Sequence, residues 1–146
     1  MYTLIKSFRE LTVNELYDIL QLRNKCFIVE QQVAYQDLDN FDQEGHHVLL
    51  YDTWDNLVAY ARAINPGVRY KEPSMGRVCV AEEYRKSNHH DTVYDKLVEF
   101  GDTQGYKVWR AVAQKKLYPI WKRKGWEIDK EIIEDGVESY EVILRR

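Results

Sequence analysis

The chain has 146 residues, of which 45% are hydrophobic and 31% charged. That is the size of one domain whose core needs no metal or disulfide staple, and the composition excludes a disordered chain. A net charge of -3 speaks against a nucleic-acid binder, and no apolar run approaches the ~18–20 residues of a membrane span.

In chain order, residues 2–8 alternate loosely and predict a first strand. Thr12-Val-Asn-Glu15 is a capping box, and the apolar spacing behind it predicts an amphipathic helix over 13–30. Residues 33–45 read as a polar, acidic loop. Residues 46–52 and 57–64 are two strands joined as a hairpin through Thr53-Trp-Asp-Asn56. A loop beginning at Asn65-Pro-Gly67 leads to a buried strand at 76–81. Residues 91–104 predict a second helix ending near Gly101 or Gly105. A Val- and Trp-rich strand follows at 106–114, then a short helix at 115–124 with Pro119 in its first turn and Gly125 as its stop. Strands at 126–134 and 137–145 are joined by Asp135-Gly136, a strong hairpin signal. The sum is one α/β domain, residues 1–146, with a mixed sheet of six or seven strands.

Cys26 and Cys79 have no metal-type spacing and are expected to be reduced, buried residues of a cytoplasmic protein with no signal peptide. The charges are segregated. Residues 26–61 hold seven acids and no Lys or Arg, whereas residues 103–126 hold seven bases and no acid. Two readings stand: two solvated surfaces, or one mouth that attracts a cation and another that attracts an anion. The neighbouring pairs His46–His47 and His89–His90 do not predict a metal site, because adjacent strand residues point to opposite faces.

Seven short words resemble the ElaA-like branch of the GNAT acetyltransferase superfamily, as does the order of the elements. They are Leu22-Arg23, Val29-Glu30-Gln31, Tyr35-Gln-Asp-Leu-Asp39, Gly45-His46-His47, Gly76-Arg77-Val78, Ala113-Gln114 and Glu134-Asp135-Gly136. The resemblance spans residues 16–146 and implies a GNAT-like fold. Its mixed sheet is flanked by helices and holds two splayed parallel strands, 76–81 and 106–114. It implies acetyl-CoA as co-substrate and a small cationic amine as acceptor, which attacks the thioester directly. The pantetheine arm would pair along Val78, Cys79 and Val80 and touch Gln114 and Trp121. The pyrophosphate would sit on Arg85, Lys86, Ser87, Asn88, His89 and His90, where free amides at a helix start favour an anion. Glu30 and His46 are the implied groups for the amine's proton and Tyr118 the candidate acid. Tyr35, Asp37, Asp39, Asp42 and Arg77 are the implied acceptor-binding residues. For the acidic cluster, attraction of a cation and ordering of the loop both stand, and Arg23 and Arg77 are candidates to pair with it.

Three positions depart from the family pattern. Asn88 and His90 replace the two loop glycines, and both residue types tolerate the left-handed conformation that glycine supplies. Trp121 stands where relatives carry a tyrosine, and an indole N–H does not supply a proton at neutral pH. Tyr118, one turn earlier, takes that role, packs, or contacts the CoA arm. Ser139 replaces a histidine. Three functions remain open: a working acetyltransferase, a degenerate member that binds CoA or another anion without turnover, and an interaction module. The exposed edge of the final hairpin, 137–144, is expected to be free to pair with a second copy.

Overall fold

The structure, a computed structural model, describes residues 1–146. Seven strands form one mixed sheet in the order β1-β2-β3-β4-β5-β7-β6. The first four, β1 (Tyr2–Ser7), β2 (Gly45–Tyr51), β3 (Leu57–Ile64) and β4 (Ser74–Val80), make an antiparallel meander. The last three, β5 (Val108–Gln114), β6 (Glu127–Glu134) and β7 (Val137–Arg145), form a second antiparallel group. The two groups meet at one parallel contact, Ser74 opposite Arg110. Beyond it β4 and β5 diverge, as the resemblance implies.

Helix α1 (Val13–Arg23) begins on the predicted capping box: Glu15 N donates to Thr12 Oγ1 (3.1 Å) and Thr12 N to Glu15 Oε1 (2.8 Å). It continues as a π turn over Asn24–Val29, closed by Glu30 N donating to Lys25 O (2.9 Å). The predicted helix over 13–30 therefore has the right length but changes pitch, which re-aims Cys26 and Glu30. Ile19, Leu22 and Cys26 pack with Leu49, Tyr51, Tyr60 and Cys79 on one face of the sheet.

The other face carries α2 (His89–Gln104), which buries Val93, Tyr94, Leu97 and Val98 against Val48, Ala61, Trp109 and Val142. Gly101 permits this packing, since a Cβ there would stand 2.4 Å from Trp109 Cζ2. The helix ends at Gly105, in the left-handed conformation at φ 78°. A short helix, α3 (Tyr118–Arg123), precedes β6.

The expectation that strand 137–144 offers a free edge is corrected. β7 lies between β5 and β6, with Val142, Ile143 and Leu144 buried. The free edges are β1 and β6. β6 is almost entirely exposed and carries Glu127, Asp129, Lys130 and Glu131, charges that oppose pairing with another strand. The apolar strand took the interior position and the charged one the rim.

Candidate active site

The divergence of β4 from β5 opens a cleft of about 410 Å³. From β4 it is lined by Gly76, Arg77 and Val78, and from β5 by Val112, Ala113 and Gln114. Tyr94, Leu117, Ile120 and Trp121 form one wall, and Phe27, Val33 and Tyr35 the other. A second cavity of about 490 Å³ shares Phe27, Gln31, Val78 and His90 with the first and runs toward Arg85, Lys86 and Ser87. Together they make one groove, apolar at its centre and charged at its ends.

The floor is an unpaired strand edge. β4 opposes β3 at Tyr60–Cys79 and at Arg62–Gly76, so Arg77 and Val78 face Ala61 alone. This is a β-bulge, with Arg77 at φ 53°. Past Ser74 no strand hydrogen-bonds to the β5 side of β4. At the far end the amides of His89, His90 and Asp91 open α2 without an acceptor from Asn88, whose side chain makes no cap bond. Free amides at a helix start of this length suit a phosphate. Asp91, a negative charge near that point, is paired with Lys124 Nζ (2.6 Å). The groove therefore fits a CoA-type co-substrate. An extended amide-bearing arm matches the open edge of β4, and its phosphates match the start of α2.

Asn88 has φ -92°, and His90 lies within α2, so neither is left-handed. The left-handed residue is Lys86, at φ 66°. The turn reaches the helix by a different residue, with no glycine required at 88 or 90.

Of the residues singled out in the sequence, Val78, Gln114, Trp121, His90, Tyr35 and Arg77 line the main cleft. Cys79, Val80, Arg85, Lys86, Ser87 and Glu30 line the second cavity. Asn88 and His89 line neither cavity, and His89 stands edge-on to Tyr84. Arg85 donates from Nε to Val80 O (3.0 Å) and from Nη2 to Glu30 Oε2 (2.7 Å), so it lies folded along the groove.

His46 is placed outside the groove. It faces α2, stacked on Phe100 with ring centroids 4.7 Å apart, and its Nδ1 meets Asn65 Oδ1 at 2.9 Å. The first residues of β2 alternate between the two sheet faces, and His46 falls on the α2 side. Tyr118 also faces away: its hydroxyl donates to Trp126 O (2.9 Å) and its ring meets Tyr140 edge-on. Of its open roles, the geometry supports packing.

Asp37, Asp39 and Asp42 are spoken for. Arg23, with no exposed surface, donates from Nε to Asp37 Oδ2 (2.8 Å) and from Nη1 to Asp42 Oδ1 (2.6 Å). Arg62 meets Asp39 Oδ2 and Asp42 Oδ1, each at 2.8 Å. Arg77 meets Asp37 Oδ1 (2.8 Å) and Asp39 Oδ2 (3.3 Å). Three carboxylates face three guanidiniums, which leaves no net charge to attract a cation. The loop-ordering alternative is the one this geometry favours. Burial tends to raise the pKa of Asp39, but Arg62 outweighs it and holds the carboxyl at about 2. Tyr35 stands in front of this network, its hydroxyl donating to Asp37 Oδ1 (3.2 Å), and burial pushes it up to about 12.

Sequence reading missed several lining residues: Phe27, Gln31, Tyr94, Lys124, Glu134 and Asp135. Gln31, Glu134 and Asp135 stand inside words quoted for the family resemblance, where a site reading could have found them. Tyr94 and Lys124 carry no such signal. Lys124 Nζ sits 4.5 Å from the Tyr94 ring centroid, and Tyr94 accepts from Trp126 Nε1 (2.8 Å). Glu134 pairs with Arg69, whereas Asp135 has no ion-pair partner.

A seven-stranded mixed sheet that splays at its one parallel contact, with a free strand edge leading to a helix start, defines the GNAT class of acyl-CoA N-acyltransferases. Solved structures agree. An acyl-CoA N-acyltransferase from Pseudomonas aeruginosa superimposes with a TM-score of 0.91 at 24% identity, over 98% of both chains. The crystal structure of Escherichia coli ElaA gives 0.87 at 29% identity, over 99% of both. At greater distance, an aminoglycoside 6'-N-acetyltransferase complexed with coenzyme A gives 0.74 at 13% identity, over 97% of this chain and 96% of that one. A UPF0039 protein of Schizosaccharomyces pombe is 31% identical over 142 residues, 95% of this chain and 93% of its own. No protein-family model matches. The chain belongs to the UPF0039 family, the ElaA-like branch of the GNAT superfamily.

Proposed function

We propose that the protein transfers an acetyl group from acetyl-CoA to the primary amine of a small cationic acceptor. The observation that carries this reading is the open edge of β4, which runs from the bulge at Arg77 to the free amides of His89, His90 and Asp91. The arm of the co-substrate pairs along that edge, and its pyrophosphate is met by the helix start and by Arg85 and Lys86. The amine nitrogen bonds to the thioester carbon, the carbon–sulfur bond breaks, and the thiolate leaves.

The acceptor enters at the end lined by Gln31, Tyr35, Glu134 and Asp135. Asp135, exposed and without a partner, supplies the attraction that the paired cluster at 37–42 does not. The amine's proton passes through water to this mouth. The leaving thiolate is stabilised by free backbone amides, with no tyrosine proton required. Accordingly, Tyr118→Phe retains turnover within a few-fold, whereas loss of a true general acid costs about 10²–10⁴-fold.

The deciding experiment is calorimetric titration with acetyl-CoA, using ATP as control, followed by CoA-release assays over an amine panel. Micromolar binding, about -8 kcal/mol, that Arg85→Glu abolishes is the expected result. No heat at millimolar acetyl-CoA overturns the reading. Binding with silence across the amine panel favours the degenerate member instead.

A further inference from the structure

Two thiols lie under the phosphate end of the groove, and the transfer reaction uses neither. Cys26 comes from the π turn after α1 and Cys79 from β4, yet the fold packs the two side chains into one core cluster. Both are free and both line the second cavity. Cys26 Sγ also lies 3.5 Å from Val80 O and 3.5 Å from Arg85 Nη2.

The surroundings make the two sulfurs unequal. Cys79 and the Arg85 guanidinium, 3.5 Å away, lower the pKa of Cys26 against burial and the Glu30 carboxylate, which raise it. The neighbouring Cys26 and burial raise that of Cys79 above the usual thiol range. A thiolate-prone cysteine at a cavity wall beside a cation, with a neutral thiol in the same cluster, has the division of labour of an attacking and a resolving cysteine. The backbone supports it too. Cys79 is held in the sheet opposite Tyr60, whereas Cys26 rides on a π turn, the less regular and more adjustable partner.

We propose that Cys26 and Cys79 form a reactive dithiol, a modification site distinct from the transfer chemistry, which a hydroperoxide oxidises to an intrachain disulfide. The Cys26 thiolate attacks one peroxide oxygen. The O–O bond breaks, the other oxygen leaves as an alcohol or water after taking a proton, and Cys26 becomes a sulfenic acid. The Cys79 sulfur then bonds to Cys26 Sγ, and the hydroxyl leaves as water with the Cys79 proton. Two thiols and one hydroperoxide become one disulfide, one alcohol or water, and one water; sulfur is oxidised by two electrons and the peroxide reduced by two. The bond draws the π turn toward β4 and takes the Cys26 sulfur away from Arg85, so it closes the groove. This last consequence rests on the acetyl-CoA reading.

The test treats the reduced chain with hydrogen peroxide, blocks remaining thiols, and digests it without reductant for mass spectrometry. The expected result is joint loss of both thiols and a cross-linked peptide pair holding Cys26 and Cys79, reversed by dithiothreitol. Cys79→Ser should instead hold a dimedone-trapped sulfenic acid at Cys26. Loss of the Cys26 thiol alone in the unmutated chain, or cross-links only between chains, overturns the proposal; this readout needs no variant to fold.

Acetyl-CoA is then titrated into reduced and oxidised protein after peroxide removal. The expected outcome is an affinity at least tenfold weaker when oxidised and restored on reduction. Equal affinity in both states overturns the closure of the groove. Failure of the reduced protein to bind overturns the acetyl-CoA reading and leaves the peptide result standing.

Discussion

Arg23 and His47 lie fully buried on the α1 side of the sheet, and each makes the chain sensitive in a different way. Arg23 holds Asp37 and Asp42 together. Removing one partner of a buried ion pair leaves charge without compensation, at about 3–5 kcal/mol. Arg23→Met should therefore cost about 3 kcal/mol or more in denaturant unfolding, far beyond the effect at an exposed pair such as Lys96–Glu99. His47 accepts from Tyr60 Oη at Nδ1 (2.6 Å) and donates from Nε2 to Asp42 O (2.9 Å), an arrangement that fits the neutral ring. Burial pushes its pKa down to about 4. An unfolded histidine titrates near 6.5, so the unfolded chain binds the extra proton first. Stability is then intact above pH 6.5 and falls as the pH drops toward 4, by about 3 kcal/mol in all. Thermal unfolding between pH 7 and 4 should show this slope, and His47→Gln should flatten it. At this scale the sequence was a partial guide. Arg23 and Arg77 were readable as partners for the acidic loop. Arg62 was not, because it comes from a strand whose alternation gives no sign that one charge faces inward.

The elements were largely legible, because apolar spacing, the Thr12 capping box and the Asp135-Gly136 turn are local signals. What escaped was set by contacts between elements. The π turn after α1 leaves no local trace, since its sequence still has helical periodicity. The order of β7 and β6 depended on which strand of the hairpin had the apolar run. Only packing could decide that Lys86, and not Asn88 or His90, takes the left-handed conformation. The close approach of α2 to β5 through Gly101 is of the same kind. Gly101→Ala places a methyl group against the fully buried Trp109. Overpacking of this sort costs about 1–3 kcal/mol. The variant should lower the unfolding midpoint and alter Trp109 fluorescence, while the capping box at Thr12 and the meander beyond it stay intact.

For the molecule as a whole, the single parallel contact between Ser74 and Arg110 means that the sheet is two leaves joined by one stitch. Most sheets share load across every strand boundary; here one boundary carries almost none over its open length. The leaves are held together instead by α2 and the core beneath them. Their opening free energies are therefore separable, as in proteins whose structural units unfold independently. Amide exchange should find β1–β4 and β5–β7 protected to different degrees. A molecule lying in the gap would supply the missing rungs, and its binding should bring the two leaves to a common protection level. Read in this way, the open seam is a built-in reporter: occupancy would be heard as cooperativity, in how the two halves of the chain come apart.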